Sequence, residues 1–65
     1  MKNRYRITTE SGTFHETFLH DAIYKYGEWI KFYTENKGKY GIELRKICIF
    51  DLYDKKEKLL ACQYV

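Results

Sequence analysis

The sequence contains no proline, only four glycines and two cysteines, and no long run of apolar residues. The lack of proline is consistent with a chain that is mostly regular secondary structure. No apolar run approaches the roughly 18 residues of a membrane-spanning helix, and no basic segment followed by an apolar one resembles a signal peptide. We therefore expect a cytoplasmic protein whose cysteines, Cys48 and Cys62, are reduced.

The sequence also lacks the motifs that usually carry catalysis or hold a cofactor. It has no Ser-His-Asp or Cys-His set with supporting context, no glycine-rich phosphate loop and no metalloprotease helix. His20 and Asp21 are adjacent, which is a common pairing at a helix start and differs from a general base with its orienting group. We therefore expect no enzymatic activity, no cofactor and no small-molecule substrate.

Two histidines and two cysteines raise the question of a zinc site. Zinc sites normally use closely spaced ligand pairs such as C-x2-4-C, and neither His15 with His20 nor Cys48 with Cys62 has that form. The spacing therefore predicts that both cysteines are small core residues and that the chain holds no metal.

The length of 65 residues predicts one small domain, residues 1–65. A domain of this size buries only about 60% of the surface that its unfolded chain exposes, so a disulfide, a metal or oligomerisation usually adds stability. The sequence is 45% apolar and 18% aromatic, which is unlike a disordered chain. We expect it to fold.

The net charge of +3 comes from dispersed residues and is too small to indicate nucleic-acid binding by itself. Lys, Ile, Tyr and Phe are common, whereas Gly, Ala, Arg and Pro are few, so residues with AT-rich codons are favoured. This bias is typical of a low-GC bacterium or one of its phages or mobile elements.

The N-terminal segment, from Lys2 to Thr9, alternates between apolar and polar residues as a half-buried strand does. A two-residue loop at Ser11-Gly12 would turn it into a second strand. That register places nearly all the apolar side chains on one face, and it pairs Tyr5 with Phe18, Ile7 with Glu16 and Thr9 with Phe14.

From His20 the apolar spacing becomes that of a helix, which we expect to end near Asn36, before Lys37-Gly38. Asp21 favours the helix N-terminus. Gly27 lies mid-helix, so either a neighbour packs closely against it or the helix is locally weak. The predicted core stripe consists of Leu19, Ile23, Tyr26, Ile30 and Tyr33.

The stretch from Ile42 to Tyr53 reads as a strand with apolar residues on both faces. A turn at residues 54–57 leads to a last strand, Lys58 to Val65. An odd-length loop would set Cys48 opposite Cys62 and permit a disulfide; a four-residue loop would set Cys48 opposite Gln63. The preference of Lys55-Lys56 for an open type I turn slightly favours the four-residue loop.

These elements predict an α+β fold of order β-β-α-β-β. Its sheet has four mostly antiparallel strands, and one helix packs on one face. Because a single helix covers a single face, the C-terminal hairpin is left with apolar side chains that need another cover, such as a second protomer or another protein. The alternative is that strong sheet twist and long side chains shield the second face within one monomer.

Our first functional hypothesis is a small non-enzymatic protein-interaction module, for example a phage product that binds and inhibits or modulates a host protein. Trp29 and Phe32 form a flank beside the helix stripe, and the sheet offers Ile47, Ile49 and Tyr53. We expect these five side chains to supply the apolar anchors of the interface.

The alternative hypothesis is a nucleic-acid-binding sheet that uses four basic residues: Arg4, Arg6, Arg45 and Lys46. The aromatic side chains of the first hairpin point to the core, so the usual interleaving of basic and aromatic groups is missing there. A third hypothesis is a homodimeric structural module.

Overall fold

The computed structural model describes residues 3–39 and 45–65. Its elements, in chain order, are β1 (Tyr5–Thr9), β2 (Gly12–Glu16), α1 (Leu19–Glu35), β3 (Lys46–Asp51) and β4 (Lys58–Tyr64). The sheet order is β2-β1-β3-β4, and each neighbouring pair is antiparallel. This confirms the predicted α+β fold. The expected strand starts at Lys2 and Ile42, and part of the loop before Ile42, lie outside the described residues.

The hydrophobic core lies between α1 and one face of the sheet. Alternation along the strands places Tyr5 and Ile7 of β1 beside Ile47 and Ile49 of β3, and all four are buried. α1 packs against β1, β2 and β3, and among the described residues it makes no packing contact with β4. The helix therefore covers three of the four strands on one face.

The helix keeps three residues of the predicted stripe, Tyr26, Ile30 and Tyr33, but not Leu19 and Ile23. Ile23 is 56% exposed and Leu19 is also exposed, whereas Ala22 is fully buried. Ala22 has the smallest side chain on this face, and the helix lies against the sheet at this residue. At about 100° per residue, the stripe is rotated away from Ile23. The helix residues that belong to the core or pack against it are Ala22, Tyr26, Trp29, Ile30 and Tyr33.

The β1–β2 hairpin has a register two residues away from the predicted one. Thr9 pairs with Gly12, so the loop is Glu10-Ser11 and not Ser11-Gly12. The Thr9 hydroxyl closes this turn, since it accepts a hydrogen bond from the Ser11 amide at 3.0 Å and donates one to the Gly12 carbonyl at 3.0 Å. Gly12 has φ +146°, a conformation that other residues rarely adopt. A two-residue shift keeps every side chain on its predicted face.

A buried tyrosine from the helix fixes the same turn. The Tyr33 hydroxyl accepts a hydrogen bond from the Ser11 amide at 2.9 Å and lies 2.7 Å from the Ser11 hydroxyl. The aromatic ring is almost fully buried under the sheet. This long-range contact stabilises the observed loop. Turn preferences consider only neighbouring residues, so they could not predict it.

The β3–β4 hairpin places Cys48 opposite Cys62, so the favoured pairing of Cys48 with Gln63 was wrong. A bulge between Ile49 and Phe50 leaves Leu60 as the extra residue of β4. The two cysteines form a disulfide, in contrast to the expected reduced thiols. The observed register brings their Cα atoms to 4.1 Å, which permits the bond that the other register excluded.

The turn between β3 and β4 also differs from the expected type I turn. Tyr53–Lys55 forms a short 3-10 turn in which Asp54 and Lys55 have φ of 58° and 61°. Positive φ is costly for a lysine, and for this reason the sequence favoured a type I turn, which needs no positive φ. No helix among residues 3–39 and 45–65 is long and apolar enough to cross a membrane.

Gly27 weakens the helix, and no close neighbour requires a glycine at this position. A Cβ atom built at this position meets no atom within 4 Å, and the residue is exposed. We predict that Gly27→Ala raises the free energy of unfolding by about 1 kcal/mol, because alanine loses less backbone entropy in a helix. Urea denaturation followed by circular dichroism measures this change. Gly12→Ala is the control and should destabilise; a lower stability for Gly27→Ala would contradict the assignment.

Candidate protein-binding surface

Within the part of the chain that the structure describes, β4 is an edge strand and no element covers either of its faces. All seven of its residues are exposed, including Leu59 at 54%, Leu60 at 41% and Tyr64 at 62%. Among residues 3–39 and 45–65, β3 is its single neighbour in the sheet, and the helix does not reach it. A contiguous group of exposed apolar side chains on one element is typical of an interaction surface.

The backbone of β4 offers unpaired hydrogen-bonding groups at defined positions. Arg45 and Val65 exchange two backbone hydrogen bonds, at 3.2 and 2.9 Å, so they form a hydrogen-bonded pair. Such pairs alternate with non-hydrogen-bonded pairs along an antiparallel ladder, and the 4.1 Å Cα separation of Cys48 and Cys62 fits the second kind. The amides and carbonyls of Cys62 and Tyr64 therefore point away from β3, towards an added strand.

The two edges of the sheet are protected to different degrees. β2 is shorter, contacts the helix, and carries Glu16 on the face that packs against it. β4 has a single charged residue, Lys58, at its start, and its bulge at Leu60 leaves the following residues regular. Charges, short length and cover are the usual protections of an edge strand, so β4 is the edge open to pairing.

The sheet face opposite the helix carries both basic and aromatic side chains. The guanidinium of Arg6 lies 4.7 Å from the centre of the Phe50 ring, and the ammonium of Lys46 lies 5.9 Å from that of Tyr64. Arg6, Lys46 and Phe50 line a cleft of about 280 Å³. Arg6 is also paired with Glu57 at 2.6 Å, so part of its charge is neutralised. We call this surface the open face.

Two of the four basic residues proposed to contact nucleic acid do not line the cleft of the open face. Arg45 is only 5% exposed, and its guanidinium lies 4.8 Å from the centre of the Tyr33 ring on the helix side. Arg4 forms a two-pronged ion pair with Asp51, in which both N···O distances are 3.0 Å. The structure thus brings only Arg6 and Lys46 together.

Arg4, Asp51 and Tyr53 form a cluster at the end of β3. The Arg4 guanidinium lies 4.7 Å from the centre of the Tyr53 ring, and the Tyr53 amide donates a hydrogen bond to Asp51 at 3.0 Å. The hydrogen bonds from Arg4 lower the pKa of the Asp51 carboxyl from its ordinary value. Tyr53 was expected on the strand, but it lies in the turn beyond it, where it is exposed.

Ile47 and Ile49 cannot supply partner contacts, which corrects their assignment as interface anchors. They are 0% and 3% exposed because they face the helix. The apolar residues of β3 on the opposite face are Cys48 and Phe50. Residues that the interface assignment missed are Leu59, Leu60 and Tyr64. Their signal in the sequence was the apolar character of the last strand on both of its faces.

The helix flank of Trp29 and Phe32 is present and forms a second surface. Their rings meet edge to face at 5.5 Å, and Trp29 also stacks on Phe14 of β2 at 5.2 Å. With Lys25 and Glu28 they line a groove of about 260 Å³. This groove lies on the β2 side of the sheet, whereas β4 is the opposite edge. The five expected anchors are thus not one surface.

No protein-family model, curated protein or solved structure matches this chain. Among the described residues, no group of three or more His, Cys, Asp or Glu side chains could hold a metal ion. The interpretation of the site therefore depends on its geometry alone.

We predict that the Arg4–Asp51 pair gives the fold an acid-dependent stability. Because the folded pKa of Asp51 is lowered, its contribution is present above the ordinary value of about 3.9 and is lost as the pH falls through the folded value. Urea midpoints measured between about pH 6 and pH 2 should fall less for Asp51→Asn than for wild type. Equal slopes for both proteins would show that Asp51 makes no such contribution.

Proposed function

We propose that this chain is a non-enzymatic protein-interaction module, and that β4 binds an extended segment of another protein as an added strand. The observation that carries the proposal is an apolar edge strand whose seven residues are all exposed and which the helix does not reach. Strand addition is a common mode of protein recognition, in which backbone hydrogen bonds give affinity and side chains give specificity.

The backbone of β4 supplies the directional part of this binding. Cys62 and Tyr64 each offer one outward amide and one outward carbonyl, so an added strand can form up to four hydrogen bonds with them. Each bond adds a net stabilisation of about 0.5 to 1.5 kcal/mol. These bonds fix the register of the added segment.

The side chains of β4 supply the apolar part. Leu59 and Leu60 are each about half exposed. Complete burial of a leucine contributes roughly 1.5 to 3 kcal/mol, so covering half of each yields a useful fraction of that energy. Tyr64 adds an aromatic ring with a polar hydroxyl, a combination that is enriched at interfaces.

The basic residues near this edge favour a partner segment with acidic groups. Lys58 begins β4, and Lys46 lies beside Tyr64 on the neighbouring strand. Such charges mainly set orientation and association rate. The cytoplasmic location, the phage or mobile-element origin and the action on a host protein stay predictions.

The test is a proline substitution that removes the outward-pointing amide of Tyr64 and leaves the hydrogen bonds between β3 and β4 in place. A partner is identified by affinity capture and mass spectrometry, and its affinity for purified variants is then measured by calorimetry. We predict that Tyr64→Pro weakens binding about tenfold beyond the loss caused by Tyr64→Ala, because proline removes a donor that β3 does not use.

Phe32→Ala, in the groove on the other side of the molecule, is the matched control and should leave the affinity unchanged. If Tyr64→Pro binds as tightly as Tyr64→Ala, strand addition at β4 is refuted. If affinity is lost only with Phe32→Ala, the groove of Trp29 and Phe32 is the interface instead.

A second candidate function is binding of single-stranded nucleic acid on the open face. The observation in its favour is the placement of Arg6 against the half-buried ring of Phe50 and of Lys46 against the exposed ring of Tyr64. Bases stack on aromatic rings while basic groups bind phosphates, and phosphate contacts make affinity fall steeply with salt. Fluorescence anisotropy with a labelled oligothymidine at two salt concentrations tests this, with the double variant Arg6→Ala and Lys46→Ala as the control.

The third candidate, a homodimer, uses the same edge with a second copy as the added strand. The segment from Leu60 to Tyr64 contains no charge, so antiparallel self-pairing opposes no like charges. Light scattering at micromolar concentration distinguishes a 16 kDa dimer, twice the 8.0 kDa chain, from a monomer that needs a different partner.

A further inference from the structure

The disulfide between Cys48 and Cys62 lies where β4 joins the rest of the sheet. Cys48 is in β3 and Cys62 is near the middle of the exposed part of β4. Because β4 has β3 as its only packing partner among the described elements, the attachment of this edge strand depends on a few contacts.

The other contacts of β4 lie at its two ends. After its last residue, Val65 packs against the core and exchanges two backbone hydrogen bonds with Arg45. Before its first residue, Glu57 pairs with Arg6 at 2.6 Å, but the Glu57 carboxylate is 59% exposed. Between these ends, the strand is held by its backbone pairing with β3, by the disulfide and by the contact of Lys46 with the Tyr64 ring, and all its residues are exposed.

The two cysteine residues differ in their exposure to solvent. Cys62 belongs to the exposed strand, whereas Cys48 is only 5% exposed. A thiolate in solution can therefore reach the sulfur of Cys62 more easily than that of Cys48. The bond lies on the open face and is not covered by the helix.

We propose that Cys48 and Cys62 form a reversible disulfide that fixes β4 to the sheet, so that the redox state of this pair controls the edge to which a partner strand is added. That the disulfide fixes β4 to the sheet is a statement about this chain alone. That its redox state controls the binding of a partner strand rests on the proposed function of β4.

The exchange reaction is balanced with a monothiol such as glutathione. A first thiolate attacks the sulfur of Cys62, breaks the bond to Cys48 and forms a mixed disulfide, and the Cys48 thiolate takes up a proton. A second thiol then releases Cys62 as a thiol and leaves as oxidised glutathione. Two electrons and two protons reach the protein, and the reverse reaction consumes oxidised glutathione.

Hydrogen–deuterium exchange read by mass spectrometry tests the proposal on the isolated chain, with no partner present. Wild type is compared in oxidised and in reduced glutathione, and the bond is checked by the mass difference and by alkylation. Removing a cross-link that closes a loop of 14 residues should speed the opening of β4 by roughly a hundredfold. Peptides from β1 and β2 should change little.

The double variant Cys48→Ser and Cys62→Ser is the control: it should match reduced wild type and ignore the glutathione ratio. Equal exchange of β4 in both states, failure to form the bond in oxidised glutathione, or equal acceleration of the whole chain would each overturn the proposal. If the double variant fails to fold, the comparison of the two wild-type states still decides. Because hydrogen–deuterium exchange needs no partner, it tests the role of the disulfide even if β4 binds no partner strand.

Discussion

One helix of 17 residues packs on one face of a sheet of four strands, so the helix is too small to cover the whole sheet. This limit determines which side chains are buried and which surfaces stay exposed. The helix reaches β1, β2 and β3, so the only face that can become a core is the one with Ile7, Ile47 and Ile49. The opposite face and the whole of β4 stay in contact with solvent. Apolar side chains that a larger domain would bury are therefore left on the surface of a small one.

The helical and strand periods of the sequence were enough to predict the order of elements, the antiparallel sheet and the single helix. The registers were not predictable, because they depend on distant contacts. The first turn is stabilised by Tyr33 of the helix as well as by Thr9, since the Tyr33 hydroxyl accepts a hydrogen bond from the Ser11 amide. The face of the helix depends on Ala22, whose small side chain gives a weak hydrophobic signal although it is fully buried.

The sequence predicted the location of the candidate site but only some of its residues. The sequence indicated that the C-terminal hairpin has more apolar residues than one helix can cover, and this excess is present on β4. It could not indicate which of two alternating sets faces the helix, so Ile47 and Ile49 were assigned to the surface. Of the predicted basic face, Arg4 and Arg45 are engaged by Asp51 and Tyr33, which leaves Arg6 and Lys46 on the open face.

β4 pairs with β3 in the observed register and receives no cover from the helix, and the proposals for this edge depend on both features. Nuclear Overhauser spectra of the isolated chain at low concentration test them most directly, since non-hydrogen-bonded pairs bring their α-protons close together. We expect α-proton contacts between Cys48 and Cys62 and between Lys46 and Tyr64, and no contact from the Tyr64 ring to the helix. Contacts of Cys48 with Gln63, or of Tyr64 with helix side chains, would contradict them.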